Sequence, residues 1–303
     1  MTATDKRVQF DFEIDFSNGG GIQGQGFRLD IDGDDIDDAA LADSIVRDLR
    51  LLMVGAVRIL SKRVIVERHK CAAAQVASGA TTSVRHVDLS HAIEDGMITY
   101  KGLPAPLVCD HLSREQSRAH YAEGTEFQIG KLTMVANTGT YIDSPYHRFA
   151  DGKDVAGFDL DEVAGLEGVL ARVTGMAGRA IDHSVFLPLD VQGKAVLVHT
   201  GWDRHWRTDP YFEGHPFLTA GAAEYLRDSG ARLVGIDSLN IDDTTDGHRP
   251  AHTTLLGAGI PIVEHLRGLE QLPDAGFHFS AVPVKIKGMG TFPVRAYASL
   301  GAA

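Results

Sequence analysis

Residues 137 to 147 read NTGTYIDSPYH, and the interpretation of the whole chain starts from this segment. Gly139 and Pro145 bend the backbone, which lets several side chains point to one place. Asp143 and His147 are four residues apart in it. Aspartate is a hard oxygen ligand or an orienting group, and histidine is a ligand or a general base. Alone, such a pair is more often a hydrogen-bonded turn, so other parts of the chain must decide.

Two further groups of polar residues accompany apolar runs. His199 and Trp202 come just after the run AVLV at residues 195 to 198, and polar groups at the end of a buried strand often line a pocket. Trp202 is an equally good candidate for a core aromatic. His252 and Glu264 lie twelve residues apart with an apolar stretch between them. This spacing is compatible with a shared metal ion.

Several common motifs are absent from the sequence. There is no HExxH, CxxC, GxSxG or Walker-type segment. The glycine-rich stretch GGGIQGQG at residues 19 to 26 precedes no strand–turn–helix pattern, which a dinucleotide site requires. We therefore expect no nucleotide cofactor.

Composition narrows the class of protein. The chain has 303 residues, of which 44% are hydrophobic and 23% charged, as in ordinary globular proteins. Its net charge of −12 argues against nucleic-acid binding. Two cysteines, Cys71 and Cys109, suit a reducing compartment. The N-terminus has no signal-peptide pattern, and the apolar stretch at residues 49 to 60 is too short to span a membrane. A soluble cytoplasmic protein is expected.

The first 84 residues are predicted to form a small extension. Residues 8 to 31 alternate between apolar and polar on both sides of a glycine turn, which predicts a β-hairpin. A helix is predicted from about residue 39 to 53, capped by Asp37 or Asp38. Its apolar face comprises Leu41, Ile45, Leu49 and Leu52. Small residues at 71 to 84 then indicate a linker.

Residues 85 to 303 are predicted to form the main domain. Short β-type runs dominate it, and the clearest helical pattern spans residues 218 to 230, with Thr219 as the N-cap and Gly230 as the stop. The mixture indicates an α/β class without a regular doubly wound repeat. The sequence has no internal repeat.

Taken together, these clusters resemble the cyclase family, which includes bacterial kynurenine formamidase and isatin hydrolase. The signature of that family is HxGTHxDxPxH. Matching residues here are Gly139, Thr140, Asp143, Pro145 and His147, whereas Asn137 and Tyr141 replace the first two histidines. The similarity continues through HVDLSHAIEDGMITYKGLPAP, VLVHTGWDRHW, RLVGIDSLNID, HTTLLGAGIPIVEHL and FPVRAYA, and covers roughly residues 86 to 300.

The resemblance implies a swivelling β/β/α-type main domain and a metal-dependent hydrolase. The substrate would be small, cyclic or aryl, with an amide, formamide or lactam C–N bond that activated water attacks. By position, Asp143, His252 and Glu264 would bind one divalent metal, zinc or manganese, and His147 would be the acid/base. Family members assemble as dimers or tetramers, so a homo-oligomer is expected. The candidate substrate-binding residues are Trp202, Thr140 and Ser144.

The two replaced histidines leave other functions open. An amide and a protonated phenol are poor zinc ligands. Without a metal, His147 would act as base while Tyr141 and Asn137 donate hydrogen bonds to an oxyanion, which suits proton transfer in a cyclisation or dehydration. A further alternative is a non-catalytic ligand-binding homologue.

Overall fold

The structure is a computed structural model of the chain. It describes residues 6–31, 33–49, 51, 53–66 and 84–301. Contacts divide the chain into two compact units, Met1–Thr81 and Thr82–Ala303. The linker predicted at residues 71 to 84 lies outside the described residues as far as residue 83.

The first unit is an antiparallel sheet with one helix. Its elements are β1 (Lys6–Phe16), β2 (Gly21–Asp30), α1 (Asp38–Asp48) and β3 (Val54–Val66), and the strand order is β2-β1-β3. The predicted β1–β2 hairpin is present. Asp37 caps α1 by accepting a hydrogen bond from the Ala40 amide at 2.8 Å. The apolar face of β1 packs against the helix, and the buried residues are Val8, Phe10, Phe12, Ile14, Leu41 and Ile45.

The prediction that the first unit contains only a hairpin and a helix is wrong, because the unit also contains strand β3. The helix ends at Asp48, before the predicted limit of 53, and Leu49 beyond it is exposed. Residues 54 to 66 instead pair with β1 along almost its whole length. They read VGAVRILSKRVIV, and such β-branched residues favour a strand over a continued helix. The third strand covers the edge of β1 that a hairpin would leave open.

The second unit is built around one large sheet. Its strands are β4 (Arg85–Asp88), β5 (Leu107–Leu112), β6 (Ile129–Thr133), β7 (Tyr141–Asp143), β8 (Leu166–Arg172), β9 (Ala180–Ile181), β10 (Ala195–His199), β11 (Phe217–Leu218), β12 (Leu233–Ile236), β13 (Ile262–Glu264), β14 (Ala275–Ser280), β15 (Thr291–Pro293) and β16 (Tyr297–Leu300). Its helices are α2 (Arg114–Ser117), α3 (Leu160–Val163), α4 (Ala220–Asp228) and α5 (Pro250–Gly257). Among the described residues, nine strands form the sheet in the order β15-β7-β13-β12-β10-β8-β14-β16-β4.

Central strands of this sheet are buried on both faces. Strands β8, β10, β12 and β13 run parallel, and every residue of β10 is buried. Val196 and Val198 face a core layer that includes α4 and α5, whereas Leu197 packs in the opposite layer. This two-sided burial explains the unbroken apolar run AVLV, because such strands show no alternation. The predicted α/β class is confirmed, and Thr219 is the N-cap of α4.

In the described part of the chain, every helix falls short of the length and hydrophobicity that a membrane-spanning helix requires.

Leu197→Ala should lower the free energy of unfolding of the second unit by about 2–5 kcal/mol, because it leaves a cavity in a fully buried layer. Both tryptophans, Trp202 and Trp206, lie in this unit, so their fluorescence during urea unfolding reports on it alone. Leu187→Ala, at a leucine that is 57% exposed, is the matched control and should change stability by less than about 0.5 kcal/mol. Equal effects of the two variants would contradict the proposed core.

Candidate active site

Three neighbouring strands at one edge of the sheet, β15, β7 and β13, bring the signature segment next to Glu264. In the antiparallel register of β7 and β13, Tyr141 lies opposite Glu264. On the other side of β7, Asp143 lies opposite Thr291 of β15. Because alternate residues of a strand share a face, Tyr141 and Asp143 point the same way. The sheet therefore collects residues that are far apart in the sequence.

A cavity of about 270 Å³ opens at this edge. It contains five of the nine predicted site residues: Asn137, Tyr141, His147, His252 and Glu264. The other lining residues are Tyr100, Leu103, Arg148, Asn240 and Arg249. Asp143 is completely buried and has an oxygen 3.9 Å from His147 Nε2 and another 3.7 Å from His252 Nε2. Six candidate residues thus form one group.

The Glu264 carboxylate is held by three donors. The Tyr141 hydroxyl donates to Oε2 at 2.6 Å, and Asn240 Nδ2 donates to the same oxygen at 3.3 Å. The backbone N–H of Ile241 donates to Oε1 at 2.6 Å. Burial raises the pKa of Tyr141 well above its ordinary value, and the charge of Glu264 adds to this shift. The phenol therefore keeps its hydrogen and donates it to Glu264. This hydrogen is not available to an oxyanion, although the metal-free alternative requires it there.

Asp242 fixes the orientation of His252 at the start of α5. Its carboxylate accepts hydrogen bonds from the N–H groups of Ala251 at 2.7 Å and His252 at 3.1 Å. The same carboxylate lies 2.6 Å from His252 Nδ1. An ionised carboxylate only accepts, so the tautomer assigned from these partners carries its hydrogen on Nδ1. His252 Nε2 is left facing Asp143 Oδ2 at 3.7 Å and Glu264 Oε1 at 3.8 Å.

Thr291 similarly sets the tautomer of His147. Its hydroxyl donates to Asp143 Oδ1 at 2.5 Å and lies 2.9 Å from His147 Nδ1. A hydroxyl has only one hydrogen to give, so the imidazole must donate Nδ1–H to the threonine oxygen. Neutral His147 therefore has an unprotonated Nε2. Its side chain is 37% exposed, which makes this nitrogen accessible from the cavity.

Buried negative charge dominates the site. Asp143, Asp242 and Glu264 are all buried around one imidazole, that of His252. Burial opposes a charge on His252, but the carboxylates outweigh it and raise the pKa of His252 to about 10. Burial raises the pKa of Glu264 to about 7. Although burial works against ionisation of Asp143, His252 and His147 hold its pKa below the ordinary value.

This charge balance fits a cation. Among the residues that the structure describes, Asp143, His147 and His252 form a group whose ligand atoms all lie within 4.8 Å of one another. The buried Asp143 Oδ2 has no hydrogen-bond donor. One carboxylate with two imidazoles is a donor set that suits zinc and related divalent ions. Uncompensated buried carboxylates are costly, so a cation here would relieve the excess charge.

Comparison with known proteins supports the resemblance. Residues 87–243 match the model of the Cyclase family, described as "Putative cyclase". The chain belongs to the cyclase family. It is 32% identical over 183 residues to a kynurenine formamidase of Geobacillus thermodenitrificans, covering 60% of this chain and 84% of that relative. With a kynurenine formamidase of Bacillus cereus it shares 29% identity over 212 residues, covering 69% of this chain and 95% of the relative.

Solved structures of the cyclase family share the fold. A potential metal-dependent hydrolase with cyclase activity superposes with a TM-score of 0.59 at 28% identity, covering 72% of this chain and 98% of that one. Isatin hydrolase A from Labrenzia aggregata gives a TM-score of 0.64 at 22% identity, covering 76% of this chain and all of its own. The predicted cyclase-family main domain is confirmed, and the expectation of an enzyme is supported.

The structure does not bring the three predicted substrate-binding residues of this cyclase-family chain to the cavity. Thr140 and Ser144 donate their hydroxyl hydrogens to backbone carbonyls at 2.6 and 2.9 Å. Trp202 donates its indole N–H to a backbone carbonyl at 3.0 Å. None of the three is among the lining residues. Their polar groups hold neighbouring loops in place.

Other residues of the site escaped the sequence prediction. Asn240 and Asp242 follow the buried strand β12, and polar residues at the carboxyl end of a parallel strand are a usable signal for a site. Arg148 directly follows the signature, and Arg249 precedes α5. Thr291 gave no signal, because only the pairing of β15 with β7 brings it to Asp143.

Tyr141→Phe should lower the free energy of unfolding by about 1–3 kcal/mol, because the buried Glu264 carboxylate loses its shortest side-chain donor. Urea unfolding followed by tryptophan fluorescence measures the change. Tyr121→Phe removes the same hydroxyl from a tyrosine that is exposed and should have almost no effect. If Tyr141→Phe were as stable as the wild type, the hydroxyl would not be holding Glu264.

Proposed function

We propose that this protein is a hydrolase that cleaves the C–N bond of an amide, formamide or lactam in a small aryl or cyclic substrate. The kynurenine formamidases among its relatives support this reaction class. The observation that carries the proposal is the buried group of Asp143, His252 and Glu264 beside the accessible Nε2 of His147. Such a group can activate water next to a cavity of substrate size.

Asp143 and His252 of the group described above would hold one divalent cation, zinc or manganese, and Glu264, whose Oε1 lies 3.8 Å from His252 Nε2, would be the third ligand in place of His147. When bound, it would polarise the substrate carbonyl and acidify water. Glu264 keeps Oε1 toward His252 because Tyr141 and Asn240 hold Oε2. Asp242 accepts the Nδ1–H of His252, so Nε2 is the ring nitrogen that would bind a cation in exchange for its proton. This assignment leaves His147 outside the ligand set.

His147 is then the general base and acid. Its unprotonated Nε2 takes a proton from water and returns it to the leaving nitrogen. Thr291 maintains the required tautomer by accepting Nδ1–H. The Asn137 amide lines the same cavity and donates a hydrogen bond to the developing oxyanion. Tyr141 acts through Glu264 and does not contact the reacting atoms.

The metal content of the protein and its variants shows whether His147 acts as a general base or binds the cation as a ligand. Protein purified without chelator should contain about one zinc or manganese ion per chain by emission spectrometry. Metal-stripped protein should take up the same amount on titration. Asp143→Asn and His252→Gln should lose the ion, whereas His147→Gln and the exposed control His248→Gln should keep it. Loss in His147→Gln would make His147 a ligand, and no uptake by the wild type would overturn the cation site.

Turnover tests the reaction class. The wild type should hydrolyse at least one member of a panel of formanilide, 2-formamidobenzoate and isatin. His147→Gln should lower kcat by about 10²–10⁴-fold, because it removes general acid–base catalysis. His248→Gln should leave kcat unchanged. A wild type inactive on every aryl formamide and lactam would refute the proposed reaction.

The homo-oligomeric state, the cytoplasmic location and the lack of nucleic-acid binding stay predictions.

A further inference from the structure

Two arginines line the wall of the cavity that contains His147 and His252. They are Arg148 and Arg249. Among the described residues, neither guanidinium forms an ion pair with a carboxylate. Arg148 Nε donates to the Thr253 hydroxyl at 3.3 Å, and Arg249 Nη1 donates to Asn240 Oδ1 at 2.9 Å. Both side chains therefore have N–H groups to spare for a ligand, since each guanidinium carries five.

The position of Arg249 is built into the fold. Its backbone is left-handed, with φ 51° and ψ 59°, a conformation that is unfavourable for a residue with a Cβ. Pro250 follows as the first residue of α5. Asn240, against which the guanidinium rests, is itself fixed by a second donor, the Asp242 N–H at 3.0 Å. Strained backbone of this kind persists where the surrounding structure enforces it, often at ligand sites.

The charge of the arginines contrasts with their surroundings. The chain has a net charge of −12, and the same cavity contains the buried Glu264 next to Asp143. Two cationic side chains in a cavity that also contains a buried carboxylate can orient a substrate that has one anionic end. The planar guanidinium matches a carboxylate by donating two parallel hydrogen bonds. A small cavity of about 270 Å³ suits an aryl carboxylate better than a large phosphorylated ligand.

We propose that the substrate carries a carboxylate that Arg148 and Arg249 bind, so that its C–N bond faces His147. This inference rests on the proposed hydrolase function and names the class of substrate that the cavity selects. Arg249 is the principal specificity residue, because Asn240 holds its guanidinium. Arg148, which is exposed, completes the anion site.

Two matched formamides test the selection. 2-Formamidobenzoate and formanilide have the same scissile bond and differ by the carboxylate. The wild type should prefer the anionic compound in kcat/KM. Arg249→Met should lower kcat/KM for it about 10- to 100-fold more than kcat/KM for formanilide, the usual range for a lost charge-assisted hydrogen bond. For Arg249→Lys, kcat/KM for 2-formamidobenzoate should lie between the values of the wild type and Arg249→Met. Arg227→Met, on the exposed face of α4, is the control. Equal losses on both formamides would overturn the inference.

Binding without turnover distinguishes failure of this inference from failure of the hydrolase proposal. Calorimetry should show that the wild type binds benzoate about 10-fold or more tightly than its neutral isostere benzamide. Arg249→Met should abolish this preference, and Arg148→Met, at an exposed residue, should weaken it. If neither formamide were hydrolysed but the preference held, only the reaction class would be wrong. Equal binding of benzoate and benzamide, or tighter binding of inorganic phosphate than of benzoate, would refute a carboxylate site.

Discussion

The hydrogen bond from Tyr141 to Glu264 is the contact on which the arrangement of the site depends. It joins two strands at directly opposed positions, β7 and β13. The family signature has a histidine in this position, whereas the protonated phenol of Tyr141 is a hydrogen-bond donor. The tyrosine that replaces this histidine donates a hydrogen bond to Oε2 of Glu264, so only Oε1 faces His252. The replacement therefore fits the proposed site for one cation, to which Glu264 would contribute a single oxygen.

Charge balance explains why the rest of the site is so strongly hydrogen-bonded. Three buried carboxylates surround one imidazole, and a buried charge is tolerated only when donors or an opposite charge compensate it. Asp242 receives backbone N–H groups of α5, Asp143 receives the Thr291 hydroxyl, and Glu264 receives Tyr141. Asp143 Oδ2 is the exception among these oxygens, since it has no donor. In the proposed site, this oxygen is the one that a bound cation would contact.

The sequence predicted those site residues that lie in short, recognisable segments of the chain. The bent signature offered Asp143 and His147 as candidates and the spacing offered His252 and Glu264, but only the resemblance to the cyclase family joined the four in one predicted site. Thr291 could not be found, because 148 residues separate it from Asp143 and only sheet pairing joins them. Strand β3 was missed for a related reason: an apolar run after a helix fits either a longer helix or a new strand until its partner is known. Thr140 and Ser144 lie within the signature segment, but backbone carbonyls accept their hydroxyl hydrogens.

Asn240 connects Glu264 with Arg249, and all three residues line the cavity. Arg249 and the Asp242 N–H both donate to Oδ1, so the amide must turn Nδ2 toward Glu264. The contact with Glu264 is long, at 3.3 Å, whereas Tyr141 and the Ile241 N–H each lie at 2.6 Å. Loss of Arg249 therefore removes one donor to the amide but neither of the strong donors to the carboxylate. In the proposed enzyme, substrate selection by Arg249 and cation binding by Glu264 are linked through Asn240, yet they rest on different hydrogen bonds and can be altered separately.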